Sequence, residues 1–225
     1  MPENTGSPWD ERRYHGRFSR YPFTEVVSFV MGRYGSAPDR SRVRILDLGF
    51  GGAHHLLFLA QEGFDFYGID GANESLRIAQ ERLTADGFPT DTISVGTFDA
   101  LPYVDDFFDC VIDRGSFTCN VLADLPPLIA EARRVLKPGG ALFSMILHET
   151  NTSKDSARSL GNNDYTEFEG RLEDAGVLHF TNAEEAADLF SQFEIEDIES
   201  ILRRSEYAPA RNGTVSGWTV VTCRK

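Results

Sequence analysis

Three cysteines in 225 residues, Cys110, Cys119 and Cys223, are too few and too scattered for a disulfide framework, and without a CxxC pair they offer no zinc site. Long apolar runs are also missing. None approaches the roughly 20 residues that span a bilayer, and the polar start Met1-Pro-Glu-Asn-Thr-Gly-Ser7 has no signal-peptide core. The expected setting is a reducing cytoplasm, with no membrane partner. Basic charge is scarce: 22 Lys and Arg against 35 Asp and Glu leave a formal net charge of −13. That balance excludes a broad phosphate-binding surface and, with it, nucleic acid as a partner. A small substrate carrying phosphate is still allowed. The local cluster Arg12, Arg13, Arg17 and Arg20 reads either as a solvated helix face or as an anion-binding lid. Nothing spaced along the chain forms a metal triad. With 41% hydrophobic and 25% charged residues, the chain is ordinary for a globular protein, and its length fits one domain with a full core.

What is present is concentrated in Val43-Arg-Ile-Leu-Asp-Leu-Gly-Phe-Gly-Gly-Ala53. The run reads as a buried strand, a glycine-rich turn and a helix start. A second run, Phe66-Tyr-Gly-Ile-Asp70, ends in a carboxylate 21 positions after Gly49. In nucleotide-binding α/β folds, an acidic residue about 20 positions past the glycine turn meets ribose hydroxyls. The spacing therefore predicts an adenosine-containing cofactor. A dinucleotide loop would be G-x-G-x-x-G, but His54 stands at the third glycine, and no Gly-Lys-Ser/Thr follows to make a P-loop. Asp47, two residues ahead of Gly49, would repel a pyrophosphate. It suits a ligand that carries an ammonium and a sulfonium.

Apolar periodicity predicts the remaining elements. Phe23, Val26, Val27, Val30 and Met31 mark a helix before the first strand, within a helical lid over residues 1–40. Strands are expected near 43–48, 64–69, 91–96, 107–113 and 141–147, with helices near 73–86 and 122–136. Lys137-Pro-Gly-Gly140 is expected to end the second of these helices. Alternating strands and helices specify a doubly wound α/β sheet over a core at 41–147. Residues 148–182 are polar, with scattered aromatics, and read as a substrate-cap insertion after strand five. Residues 183–225 supply a last helix and two strands.

Asp47-x-Gly49-x-Gly51 with Asp70 resembles the cofactor loop of class I S-adenosylmethionine-dependent methyltransferases. Val95-Gly-Thr-Phe-Asp-Ala-Leu-Pro102 and Phe107-Phe-Asp-Cys-Val-Ile-Asp113 are similar to that family's third and fourth strand segments. Ala130-Glu-Ala-Arg-Arg-Val-Leu-Lys-Pro-Gly-Gly-Ala-Leu-Phe143 is similar to its helix, glycine turn and fifth strand. The resemblance covers about residues 43–147 in the family's order. It implies a mainly parallel, seven-stranded Rossmann-like methyltransferase fold that binds S-adenosyl-L-methionine. By the same resemblance Asp47, Gly49, Phe50 and Gly51 line the cofactor loop, and Gly52 and Ala53 complete it. Asp70 meets the ribose, followed by Gly71 and Ala72. Thr97 and Phe98 flank the adenine, although Thr97 replaces a commonly acidic residue. Asp113 lies near the methionine end or the substrate.

Methyl transfer is an in-line displacement that needs the nucleophile held about 3 Å from the methyl carbon. A hydroxyl acceptor also needs a base, whereas an amine needs only desolvation. Some family members have a histidine after strand four, but Thr118, Cys119 and Asn120 occupy that place here. His148, at the end of strand five, and Asp113 are the base candidates, with hydrogen-bonded rim residues as the alternative reading. Tyr14, His15, Tyr21, Arg114, His148 and Tyr165 are the substrate-binding candidates. The expected reaction is methylation of a small molecule, O slightly favoured over N, with a sugar or another hydroxylated metabolite as acceptor. The alternatives are an NAD(P)-dependent oxidoreductase and a non-catalytic binding protein of the same fold. The oligomeric state stays open, a homodimer included.

Overall fold

A computed structural model describes residues 19–207 and 213–225. The lid candidates Tyr14 and His15, and the basic cluster before Arg20, lie outside the described residues. The chain divides into two compact units, Met1–Ile112 with Arg134–Gly140, and Asp113–Arg133 with Ala141–Lys225.

In the first unit, α1 (Thr24–Tyr34) buries Val26 and Val30. β1 (Arg44–Leu48) follows, with four consecutive buried residues. Next come α2 (His54–Gln61), β2 (Asp65–Asp70), α3 (Asn73–Ala85), β3 (Ile93–Val95) and β4 (Phe108–Arg114). The strand order is β3-β2-β1-β4, and β2 pairs in parallel with both β1 and β3. Helices cover the faces of such a sheet, which is why its strands are continuous apolar runs rather than alternating ones. Gly68 permits the closest approach: a Cβ there would lie 2.7 Å from the Phe50 ring. α3 buries Ala79 and Leu83. On its outer face Arg77 pairs with Glu74 at 2.6 Å and with Glu81 at 2.5 Å, the spacing at which helix charges meet.

The helix expected at 122–136 is a short 3-10 turn, Leu122–Asp124, followed by α4 (Leu125–Val135). Lys137-Pro-Gly-Gly140 belongs to β5 (Leu136–His148) rather than forming a separate turn. Gly139 takes up the bend with a φ of 76°.

In the second unit, the segment expected as a substrate cap contains short strands. Residues 148–182 form β6 (Arg158–Gly161), β7 (Asp164–Thr166) and β8 (Leu178–Thr181). β6 and β8 each pair antiparallel with β7, and β8 runs parallel to the end of β5. Leu147, Phe168, Ala175, Leu178 and Phe180 give this segment its own small core. α5 (Ala183–Leu189) is capped by Asn182, whose side chain accepts from the Glu185 amide at 3.0 Å. β9 (Glu194–Arg204) and β10 (Val215–Arg224) form a long antiparallel pair, and β10 also lies antiparallel to β5. Among the described residues β9 pairs with β10 alone. The mainly parallel α/β class holds, but with ten strands among the described residues instead of seven. No helix among the described residues is long and apolar enough to cross a membrane.

Candidate functional site

The expected cofactor loop is formed within the first unit by the carboxyl ends of β1 and β2. Gly49 and Gly51 take positive φ of 75° and 47°, and Ala53 does so at 61° although it carries a side chain. Glycine accepts that region freely, whereas alanine is strained there. The turn closes through Gly49 N–H donating to Ile69 O at 2.7 Å and Ala53 N–H to Phe50 O at 2.8 Å. Arg82, from α3, donates to Gly52 O. Phe50 is buried and packs over Gly68, so only its backbone faces the turn.

Asp70 ties this loop to the next strand end. Its Oδ2 accepts from Gly51 N–H at 2.8 Å and its Oδ1 from Ala72 N–H at 2.9 Å. Burial pushes the Asp70 carboxyl above its ordinary 3.8, and the two amides act against that shift. The Ser75 side chain also favours the charged carboxylate. Gly71, half-buried, lies between these anchors. Gly96 N–H donates to Asp70 O at 2.9 Å, which brings the following exposed Thr97 and half-buried Phe98 to the same strand ends.

Asp47 differs from Asp70. It is only 1% exposed, and its Oδ2 has no hydrogen-bond partner. The nearest cationic candidate is His55 Nδ1 at 3.6 Å, beyond hydrogen-bond length. A buried carboxylate without a partner is costly, by several kcal/mol in order of magnitude. The residues present therefore fit a ligand that brings a cationic N–H group, as the resemblance implies.

In the second unit, Asp113 is fully buried and committed. Its Oδ1 accepts from the Ser116 and Phe117 amides at 2.8 and 3.0 Å, and its Oδ2 from Ser144 Oγ at 2.6 Å. Arg114 stacks its guanidinium 4.0 Å from the Trp218 ring centre. His148 is 8% exposed. Its Nδ1 accepts the Thr150 N–H at 3.1 Å and lies 2.9 Å from Thr150 Oγ. With Nδ1 accepting, the neutral ring carries its hydrogen on Nε2. Tyr165 sits edge-on to Phe180, with ring centres 5.5 Å apart, and under the Lys154 ammonium. In the first unit, Tyr21 is 76% exposed, and its carbonyl accepts from Ser19 Oγ.

A buried polar cluster around His179 had no signal in the sequence. Its Nδ1 lies 2.8 Å from Asp164 Oδ1 and its Nε2 2.9 Å from Glu185 Oε2. Asp164 also accepts the Leu122 amide, at 3.0 Å to the same oxygen. Residues 15 and 6 positions apart carry no spacing signal, because the hairpin brings them together. Among the described residues no group of three His, Cys, Asp or Glu side chains could hold a metal ion.

Residues 45–140 match the family described as a methyltransferase domain. Over 152 residues the chain is 28% identical to a ubiquinone biosynthesis O-methyltransferase of Methylobacterium nodulans, covering 64% of this chain and 60% of that protein. The chain covers less than two thirds of the length of the curated relatives it matches. An S-adenosylmethionine-dependent methyltransferase from Methanosarcina mazei superposes with a TM-score of 0.67 at 20% identity, over 91% of this chain and 98% of that one. The [4+2]-cyclase SpnF superposes with a TM-score of 0.64 at 22% identity, over 89% and 80%. These structural likenesses establish the fold. SpnF, a cyclase on the same fold, is a reminder that fold alone does not set the reaction.

Proposed function

We propose, from the match of residues 45–140 to a methyltransferase domain and from the class I resemblance of the cofactor loop, that the protein transfers a methyl group from S-adenosylmethionine to a small-molecule acceptor. The observation that carries this reading is the buried, unpartnered Oδ2 of Asp47 beside the glycine turn. Asp47 would hold the cofactor's ammonium, the glycine turn would let the backbone pass close to its methionine end, and Asp70 would accept from its ribose. Phe98 would pack on the adenine. When bound, the cofactor supplies an electrophilic methyl carbon. The protein's own part is to orient the partners and exclude water.

The two base candidates fit that role poorly. Asp113 has both oxygens engaged and no exposure. His148 has its acceptor nitrogen taken by the Thr150 amide, which leaves Nε2–H as a donor. His148 is thus read as an orienting donor to an oxygen of the acceptor. Without a base, the acceptor must arrive already nucleophilic: a neutral amine, or a phenol that has given its proton to water before it binds. The O-methyltransferase relative favours the hydroxyl. A sugar hydroxyl, which stays protonated at neutral pH, fits less well.

Calorimetric titration with S-adenosylhomocysteine, and separately with NAD and NADP, tests the reading. Saturable binding of S-adenosylhomocysteine alone is expected. Binding of a nicotinamide cofactor alone would overturn it.

A further inference from the structure

Two side chains of the first unit touch both the glycine loop and the segment just before α1. Arg82 donates to Gly52 O in the loop and to Ser19 O at 3.2 Å. His55 is buried, with Nε2 3.5 Å from the Phe23 amide that donates to it and Nδ1 3.6 Å from Asp47 Oδ2. The first contact has a local cause. Phe23 is the N-cap of α1 and has no capping side chain, so the amides at that helix start need acceptors from elsewhere. His55 answers one of them. Its ring also packs against Phe23, with ring centres 5.8 Å apart.

That contact fixes the state of the imidazole. With Nε2 accepting from a backbone N–H, the neutral ring must carry its hydrogen on Nδ1. Nδ1–H then faces the one oxygen of Asp47 that has no partner. Both contacts lie at or just past the long limit of a hydrogen bond, so the relay is aligned but slack.

We propose that His55 is a positioning residue that couples the Ser19–Phe23 strap to the cofactor site. Its Nε2 accepts from the strap at the Phe23 amide, and its Nδ1–H faces Asp47 Oδ2 from 3.6 Å, short of a closed hydrogen bond. This rests on the reading of Asp47 as the ammonium site. A cation held at Asp47 fixes the carboxylate, which tightens His55 and with it the Phe23 amide. By reciprocity, docking of the strap raises affinity for the cofactor.

The two halves of the relay can be separated. His55→Asn keeps a donor near the Nδ1 position and loses the acceptor for Phe23. His55→Gln places its amide oxygen near Nε2 and loses the donor to Asp47. The readouts are hydrogen exchange at the Phe23 amide, with and without S-adenosylhomocysteine, and calorimetric affinity for that ligand. In the wild type, the ligand should slow Phe23 exchange. His55→Asn should exchange faster than wild type at Phe23 even without ligand. His55→Gln should retain that protection but lose more affinity than His55→Asn, about tenfold for a hydrogen bond to a charged group.

Wild-type protein that binds S-adenosylhomocysteine with no change at Phe23, or two variants that behave alike in both readouts, would overturn the coupling and leave the methyltransferase reading standing. Wild-type protein that binds no S-adenosylhomocysteine would overturn that reading and the coupling together.

Discussion

Asp47 and Asp113 both stand near the carboxyl end of a buried strand, and both are almost wholly hidden from solvent. They differ in what surrounds the carboxylate. Asp113 is met by two amides and a serine hydroxyl, whereas Asp47 has an oxygen that nothing within the protein satisfies. A buried charge whose hydrogen-bonding capacity is filled is scaffold, since its cost is already offset. A buried charge with an empty lone pair carries a cost that only a ligand relieves. Burial alone would have ranked the two together.

The contrast is open to direct attack. Its sharpest test is Asp113→Ala, which strands two amides and a hydroxyl in the interior. Chemical denaturation should show a loss of about 3–5 kcal/mol, and a loss below 1 kcal/mol would mean Asp113 is not scaffold. Asp47→Asn should behave in the opposite way. Stability should hold or rise, because the uncompensated charge is gone, while S-adenosylhomocysteine affinity should fall by about 1.5–3 kcal/mol. Paired calorimetry and thermal unfolding would read both numbers, and intact affinity would break the comparison.

His148 probes a half-satisfied group. His148→Ala should raise the acceptor's KM by about tenfold or less, the worth of one hydrogen bond, with kcat nearly kept. A steady-state profile in which kcat collapses and its acid limb disappears would restore the base role. The smallest effect concerns Asp70. Its folded pKa is raised above 3.8 by burial. Its contribution to stability is therefore fully present below that pH and is lost as pH rises through the folded value. As pH rises from 3.8 through the raised folded value, Asp70→Asn should lose less stability than wild type. Parallel denaturation midpoints across that range would mean the Gly51 and Ala72 amides cancel the burial.

Local patterns made the first unit readable in advance. Continuous apolar runs marked β1, β2 and β4, and positive φ at Gly49 and Gly51 matches the turn that their spacing suggested. Asp70 was legible because a strand end and a glycine turn fix its distance along the chain. The neighbour of Asp47 was not, since His55 gains its meaning only from the Phe23 amide, 32 positions earlier. The same holds for His148, where a neighbouring threonine decides which nitrogen is free. The strands within residues 148–182 were not legible, because β6 and β7 are only four and three residues long. Such strands are too short to show alternation, and their apolar anchors are spread over more than thirty positions.

The outer side of β9 bears on how one copy of the protein meets another. An unpaired strand is a template for any other chain that offers a backbone. Six of its eleven side chains are charged: Glu194, Glu196, Asp197, Glu199, Arg203 and Arg204. Acidic residues fill one end and arginines the other, so an in-register parallel neighbour would set like charge against like. Stacking of that kind, repeated without limit, is what builds fibrils. The edge carries its own deterrent, written in side chains that contribute little to the core.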